Sequence, residues 1–308
     1  METRSIGSLD VSAVGLGCNN FGWHIDEDRS HRVVRAALDA GINHFDTAEL
    51  YGDGASESFL GRALKGERDR VMLATKFGHG TDARPETVRR SLDASLARLG
   101  TDRIDLYYLH RPDAGTPIAD TLGALQQAVD AGKVREIGCS GFSPEQMHAA
   151  DRAAGTGVRF VALQNEYSLL HRKPEGDGGT LQVARETGMA FVPYFPLKSG
   201  LLTGKYRKGD APPEGSRLAG KDGSHFDSMG DKLLTEENLD AVERLIGWTE
   251  GRGRTILDLA FAYLLAHGGV ASVIAGATKP EQVRGNVAAA EWALSEAEVA
   301  EVRALLGG

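Results

Sequence analysis

The chain has 308 residues, 41% of them hydrophobic and 25% charged, which is ordinary for a globular protein and long enough to bury a large core. A formal net charge of −8 with no basic run argues against nucleic acid or an anionic membrane surface as partner, and leaves a small anion held by local positive groups open. The N-terminus lacks a signal-length apolar core and no apolar run is long enough to span a bilayer. Two cysteines, Cys18 and Cys139, cannot make a disulfide framework or a four-thiolate zinc site, so the expectation is a cytoplasmic chain with reduced thiols.

TRSIGSLDVSAV reads as a small hairpin turning at Gly7–Ser8, placed to plug the N-terminal end of a barrel. Beyond it, short apolar runs alternate with longer amphipathic ones. The strand SAVGLG (12–17) precedes a helix over 30–41, where Val33, Val34, Ala37 and Leu38 recur at helical spacing. INHFD (42–46) precedes a helix over 56–66, and RVMLATKFG (70–78) one over 85–100, with Pro85 at its start and Gly100 past its end. IDLYYLH (104–110) is followed by a helix over 118–132, and VREIGCSG (134–141) by one near 144–154. RFVALQNEY (159–167) and a helix near 179–188 come next. MAFVPYFP (189–196) enters a long Gly- and Lys-rich loop, then helices near 235–250 and 254–266. ASVIAGA (271–277), a helix near 280–290 and the outlying SEAEVAEVRALLGG complete the chain. Eight strand–helix units without a linker predict one domain over 1–308: a (β/α)8 TIM barrel with an N-terminal β-hairpin cap and extra C-terminal helices. An open dinucleotide-binding sheet is disfavoured, because no G-x-G-x-x-G turn follows the first strand.

Barrel active sites lie at the C-terminal ends of the strands. Those ends carry Asp46 with Tyr51 just beyond, Lys76, His110, Ser140, Gln164 with Asn165, and Tyr194. Alone, each has a bland reading: Asp46 a cap or turn, Tyr51 packing, Lys76 a solvated strand end, His110 a structural histidine. Together at consecutive strand ends they describe a device. Asp46 would pair the Lys76 ammonium, the ammonium would lower the Tyr51 phenol by roughly 1–3 pKa units, and His110 would hydrogen-bond a carbonyl oxygen. None of the four is a hydride source, so a reduction needs a cofactor. His44 is expected to be packing on the strand face opposite Asp46. Phe21 and Trp23, after the first strand, are candidates for a substrate wall or for loop packing.

The stretches FDTAELYGDGASE, LATKFG, DRIDLYYLHRPD, GKVREIGCSGF, QNEYSLL, PYFPLKSGLLTGKY and IAGATKPEQVRGN resemble, in order and spacing, the aldo-keto reductases. The resemblance covers nearly the whole chain. It implies NADP(H) across the top of the barrel, with NAD(H) as the alternative, and a catalytic tetrad of Asp46, Tyr51, Lys76 and His110 with Tyr51 as proton donor. It implies cofactor contacts from Gly17, Cys18, Asn19, Ser140, Gln164 and Tyr194. It extends them through Phe195, Pro196, Leu197, Ser199, Gly200, Leu201 and Lys205, and through Gly276, Thr278, Lys279, Gln282, Arg284 and Asn286 around the adenosine 2′-phosphate. Trp23, Tyr51 and His110 would face the substrate, a small carbonyl compound, in a monomer or weak homo-oligomer without bound metal. The chain departs from the family at Gly141, where Ser-Asn is common, and at Gln282, where many members have arginine. The segment GATKPEQVR favours NADPH over NADH, since a helix start near Pro280 with Lys279, Arg284 and Thr278 suits a phosphate. A redox-sensing regulatory subunit with slow turnover is the competing function; a metal-dependent hydrolase on His44, Asp46 and His110 is the third. Loops 18–30, 78–84, 111–117 and 206–232 are expected to set specificity.

Overall fold

The computed structural model describes residues 1–219 and 227–307. The chain opens with antiparallel strands β1 (Thr3–Ile6) and β2 (Leu9–Ser12), turning at Gly7–Ser8 as expected. Gly7 has φ +56, and a Cβ there would lie 2.8 Å from the carboxyl carbon of Glu136, whose Oε1 accepts from Ser8 N. Glycine therefore lets the hairpin sit down on the end of the barrel. Ile6, Leu9 and Val11 are buried there against Met72, Ala74, Leu106 and Val192.

The barrel is built from β3 (Val14–Gly17), α1 (Glu27–Asp39), β4 (His44–Asp46), α2 (Ala55–Ala63), β5 (Met72–Phe77), α3 (Pro85–Leu99), β6 (Ile104–Leu109) and α4 (Ile118–Asp130). It continues with β7 (Val134–Ser140), α5 (Pro144–Ala154), β8 (Ala162–Glu166), α6 (Thr180–Glu186) and β9 (Ala190–Tyr194). Then come α7 (Asp227–Leu233), α8 (Glu236–Glu250), α9 (Ile256–Leu265), β10 (Val273–Gly276), α10 (Pro280–Ala289) and α11 (Glu296–Leu305). The eight strands β10-β3-β4-β5-β6-β7-β8-β9 pair in parallel. Phe191 of β9 exchanges backbone bonds with Gly269 and Ala271 just before β10, which nearly closes the ring. This is the expected (β/α)8 barrel with its hairpin.

Local chemistry accounts for most boundaries. Pro85 opens α3 and Gly100, at φ +63, ends it. Ser143 with Gln146, and Thr255 with Asp258, form capping boxes at α5 and α9. Helix α1 begins three residues before the predicted Ser30, because Asp26 accepts from Arg29 N (2.9 Å) and is the true cap. The expected strand 189–196 stops at Tyr194, since Phe195 turns to φ +61. Helix α7 lies in the segment whose Gly- and Lys-rich composition predicts a loop. Within the segment 206–232, expected to help set specificity, residues 220–226 lie outside the described residues. No helix among the described residues is long and apolar enough to cross a membrane.

Candidate active site

Alternate strand residues face opposite ways, and the barrel shows which way. Met72, Ala74, Leu106, Tyr108, Ala162 and Val192 pack together inside the ring. Phe45, Leu73, Phe77, Tyr107 and Leu163 pack outward under the helices. The inward series continues upward to Lys76, His110, Gln164 and Tyr194 at the C-terminal mouth. His44 and Asp46, two residues apart on β4, share the inward face. The expectation that His44 faces away from Asp46 is therefore wrong, since alternation separates neighbours and not second neighbours. His44 is buried a layer below the mouth, with Nδ1 2.8 Å from Ser272 Oγ across β3. Gly15 makes that contact feasible, because a Cβ on it would meet both partners at 3.0–3.1 Å.

At the mouth, Lys76 Nζ donates to Asp46 Oδ1 (2.5 Å) and to Thr47 O (2.8 Å). Both charged side chains are buried, Lys76 completely. Gln164 Nε2 donates to the other Asp46 oxygen (2.9 Å). The Asp46 carboxylate is thus held from two sides. Tyr51 lies on a 3-10 turn, Tyr51–Gly54, with the Lys76 ammonium 5.1 Å from its ring centroid. The glycines of YGDG shape that turn. A Cβ on Gly52 (φ +58) would sit 2.9 Å from Phe21 O, so the turn packs directly on the β3–α1 loop. The His110 ring meets the Tyr51 ring edge-on at 6.0 Å, and its buried Nδ1 has no hydrogen-bond partner.

Electrostatics correct one expectation. Burial pushes the Tyr51 phenol up, and the Lys76 charge opposes this without overcoming it, so the net direction is above the ordinary tyrosine value. A proton held at neutral pH is what a donor needs. Burial pulls the Lys76 ammonium down, but Asp46 and then Tyr51 more than restore it, and it stays a cation. Burial, then Lys76, His79 and Arg111, drives His110 to about 2, so its imidazole is neutral. The Cys18 thiol is buried beside the pair and pushed well up, first by burial and then by Asp46, which makes it inert.

The residues expected around a cofactor form an arc along the mouth. Ser140, at the end of β7, is buried and pairs with Gln164. Gly141 N donates to Asn165 Oδ1 (2.7 Å), and Asn165 Nδ2 to Phe142 O (3.0 Å), so Asn165 braces the turn after β7. Tyr194 is half-buried at the end of β9. Beyond it Phe195, Lys198, Ser199 and Gly200 all have positive φ. Such a run in non-glycine residues costs roughly 1–3 kcal/mol at each and is typical of backbone shaped around a ligand. Pro196 and Leu197 lie within it, and Lys205 lies over Gly200. The Leu201 side chain is wholly buried in the core, which leaves its backbone to line the segment. Gly17 and Gly276 face each other across β3 and β10, where a Cβ on Gly276 would meet Asn19 Oδ1 and Asn20 Nδ2 at 3.0 Å. Cradles of this kind admit a ligand backbone and exclude side chains.

At the start of α10, Gln282 Oε1 accepts from Thr278 N (2.7 Å), Thr278 Oγ1 (3.2 Å) and Lys279 N (3.2 Å). One oxygen gathers three donors, the arrangement a phosphate oxygen would take over. Arg284 pairs with Glu281 (3.0 Å), and Asn286 is buried in the helix. The donor set thus fits a dinucleotide phosphate. Trp23 stands 54% exposed on the β3–α1 loop. No group of three His, Cys, Asp or Glu able to hold a metal occurs among the described residues.

Several features of the site have no counterpart in the sequence pattern. Glu166 at the end of β8 pairs with Lys198, pinning the strained segment. Arg217 reaches back to Asn20. Glu57 is fully buried between Thr75 Oγ1 (2.6 Å) and Arg98 Nε (2.6 Å), locking α2 to β5 behind the tetrad. Its place in DGASE, directly after the Tyr51 turn, is the only local signal of that role.

The model of the aldo/keto reductase family matches residues 13–306. The chain is 34% identical to L-glyceraldehyde 3-phosphate reductase of Escherichia coli (strain K12), over 94% of this chain and 87% of that one. It is 35% identical to aldo-keto reductase yakc [NADP(+)] of Schizosaccharomyces pombe, over 98% and 91%. It is 36% identical to a putative voltage-gated potassium channel subunit beta of the same yeast, over 92% and 86%. With a parallel eight-stranded barrel and a family match along nearly its whole length, the chain belongs to the aldo/keto reductase family and is an oxidoreductase.

Proposed function

We propose that the protein reduces an aldehyde or ketone, a sugar or another small carbonyl compound, to the alcohol with NADPH, reversibly, and that Tyr51 is the proton donor. The observation that carries this reading is the Lys76 ammonium set between the Asp46 carboxylate and the Tyr51 ring at the barrel mouth. When bound, the reduced nicotinamide supplies the hydride to the carbonyl carbon. Tyr51 Oη gives its proton to the carbonyl oxygen, so the new alcohol gains one C–H and one O–H bond. The phenolate left behind is stabilised by the Lys76 ammonium, which Asp46 holds and balances. Neutral His110 orients the carbonyl by a hydrogen bond without competing as an acid. Ser140, Gln164 and Tyr194 would orient the nicotinamide. The Phe195–Lys205 segment would cover the pyrophosphate, with the start of α10 reading the 2′-phosphate. Gln164 would share its amide between Asp46 and the cofactor, a coupling absent from the expectation for it. Trp23 would wall the substrate.

The test is a spectrophotometric screen of aldehydes, ketones and sugars with NADPH and with NADH, and product identification for the best pair. No turnover with any activated aldehyde would sink the reading. A second reading, a regulatory subunit that binds NADPH and turns over slowly, draws on the likeness to the yeast protein named as a putative channel subunit. Turnover rate on the best aldehyde separates the two.

A further inference from the structure

Two basic side chains at the mouth have no acidic partner among the described residues. Arg111 comes directly after His110, just past β6, and is exposed. It makes no hydrogen bond or ion pair with any described residue. Its guanidinium lies on the turn after β7: a Cβ on Gly141 would sit 2.6 Å from Arg111 Nη1 and 3.3 Å from its Cδ. Glycine at 141 is what gives the guanidinium this seat. The seat itself is rigid, since Asn165 braces the turn from behind. His79 is exposed on the β5–α3 loop between Gly78 (φ +80) and Gly80 (φ +77), with its ring 4.9 Å from that of His110.

The acids nearby are already engaged. Asp46 holds Lys76 and Gln164. Asp113 accepts from Ala83 N, Gly115 N and Thr116 Oγ1. Glu49 accepts from Gly78 N, and Glu166 pairs with Lys198. A chain of net charge −8 thus keeps, next to His110 in sequence, a guanidinium with no ion-pair partner among the described residues, and an exposed imidazole against the His110 ring. A solvated arginine needs no braced seat. An arginine that receives a ligand does, because a planar fork binds a carboxylate or phosphate only when it is oriented.

We propose that Arg111 and His79 form an anion subsite beside the candidate carbonyl site, and that it selects carbonyl substrates carrying a phosphate or a carboxylate a few bonds from the reacting carbon. The proposal rests on the reading of the mouth as the reduction site.

The test uses matched substrates that differ in the anion: glyceraldehyde 3-phosphate against glyceraldehyde, and succinic semialdehyde against butanal. The readout is the ratio of kcat/KM for the anionic to the neutral member. In Arg111→Gln that ratio should fall about ten- to a hundredfold, with partial recovery in Arg111→Lys and a smaller fall in His79→Asn. Raising the salt should lower the wild-type ratio and leave that of Arg111→Gln nearly flat. The pair with the larger fall tells phosphate from carboxylate. A ratio within about twofold of wild type in Arg111→Gln for both pairs would overturn the subsite. A second measurement needs no turnover: ligand-observed NMR titration of glycerol 3-phosphate and of glycerol onto the NADP-loaded protein. Phosphate-dependent binding that disappears in Arg111→Gln supports the subsite even where no aldehyde is reduced, in which case the reductase reading alone has failed. Equal binding of both ligands, or of the phosphate by both proteins, overturns it.

Discussion

Replacing Lys76 with methionine isolates the charge at the centre of the site. Methionine approximates the lysine stem in length and flexibility, so the change leaves little cavity. It removes the only cation among the described residues bonded to Asp46, whose carboxylate is 4% exposed and would keep one hydrogen bond, from Gln164. Breaking a buried pair by removing one partner costs about 3–5 kcal/mol, because the survivor stays buried and uncompensated. The loss of the bond to Thr47 O adds to this. Equilibrium urea unfolding measures the cost. Adding Asp46→Asn to Lys76→Met removes the stranded charge and should return at least about 2 kcal/mol, a coupling within the range of contacting pairs. Turnover has the opposite pattern. The double variant regains stability and no activity, since neither holds a cation beside Tyr51. Alcohol oxidation by Lys76→Met should recover only in part, and only at high pH where the phenol ionises unaided. A Lys76→Met protein within about 1 kcal/mol of wild type, or a double variant less stable than the single, would refute the pairing as the organising interaction.

Tyr51→Phe keeps the ring and removes the proton; kcat for an activated aldehyde should fall about 10²–10⁴-fold with NADPH still bound in fluorescence titration, and a value within about threefold of wild type would take Tyr51 out of the mechanism. Gln282→Glu puts a carboxylate on the three donors at Thr278 and Lys279. NADPH affinity should then fall about ten- to a hundredfold and NADH affinity much less, and equal falls would show that this segment does not read the 2′-phosphate. Burial, against the pull of Asp46, holds His44 at about 4, so between about pH 4 and 6.5 the folded state keeps it neutral while the unfolded chain binds the proton. The stability it contributes is present above about pH 6.5 and drains away as pH falls toward 4, about 3 kcal/mol in all, so unfolding free energies of wild type should drop more steeply across that window than those of His44→Gln; parallel slopes would refute the assignment.

One distinction separates the legible features from the hidden ones. Periodicity and caps are local, so the eight repeats, the hairpin at Gly7–Ser8 and the punctuation at Pro85 and Gly100 can all be read from the sequence. Strand ends are also local, and the barrel rule carries them to one mouth, so Asp46, Lys76 and His110 emerge as a set. Electrostatic balance is not local. The sequence predicts a lowered Tyr51 phenol because its cation can be named, whereas the burial that outweighs that cation belongs to the assembled mouth. His44 is misplaced when alternation is miscounted by one residue, and Gly15, which opens its path to Ser272, is one of 39 glycines with nothing local to single it out. Arg111 stands in HRPD without a local mark of function, because only the fold brings Gly141, on the turn after the next strand, beneath it.

The placement of Gln164 gives the site a further property. Its amide donates to the same carboxylate that holds Lys76, from the opposite side of the mouth, and Ser140 lies beside it in the register of β7 and β8. A nicotinamide amide seated there would compete with Asp46 for the Gln164 amide. Any weakening of that bond leaves Asp46 more dependent on Lys76 and draws the ammonium more firmly into place, so cofactor binding and the tuning of Tyr51 become linked through one carboxylate. Gln164→Leu should therefore do more than weaken NADPH. It should also move the pH dependence of alcohol oxidation, because the Asp46–Lys76 pair loses its second support. A variant that binds NADPH more weakly and keeps the wild-type pH profile would show that Gln164 serves the cofactor alone and that the two halves of the site work independently.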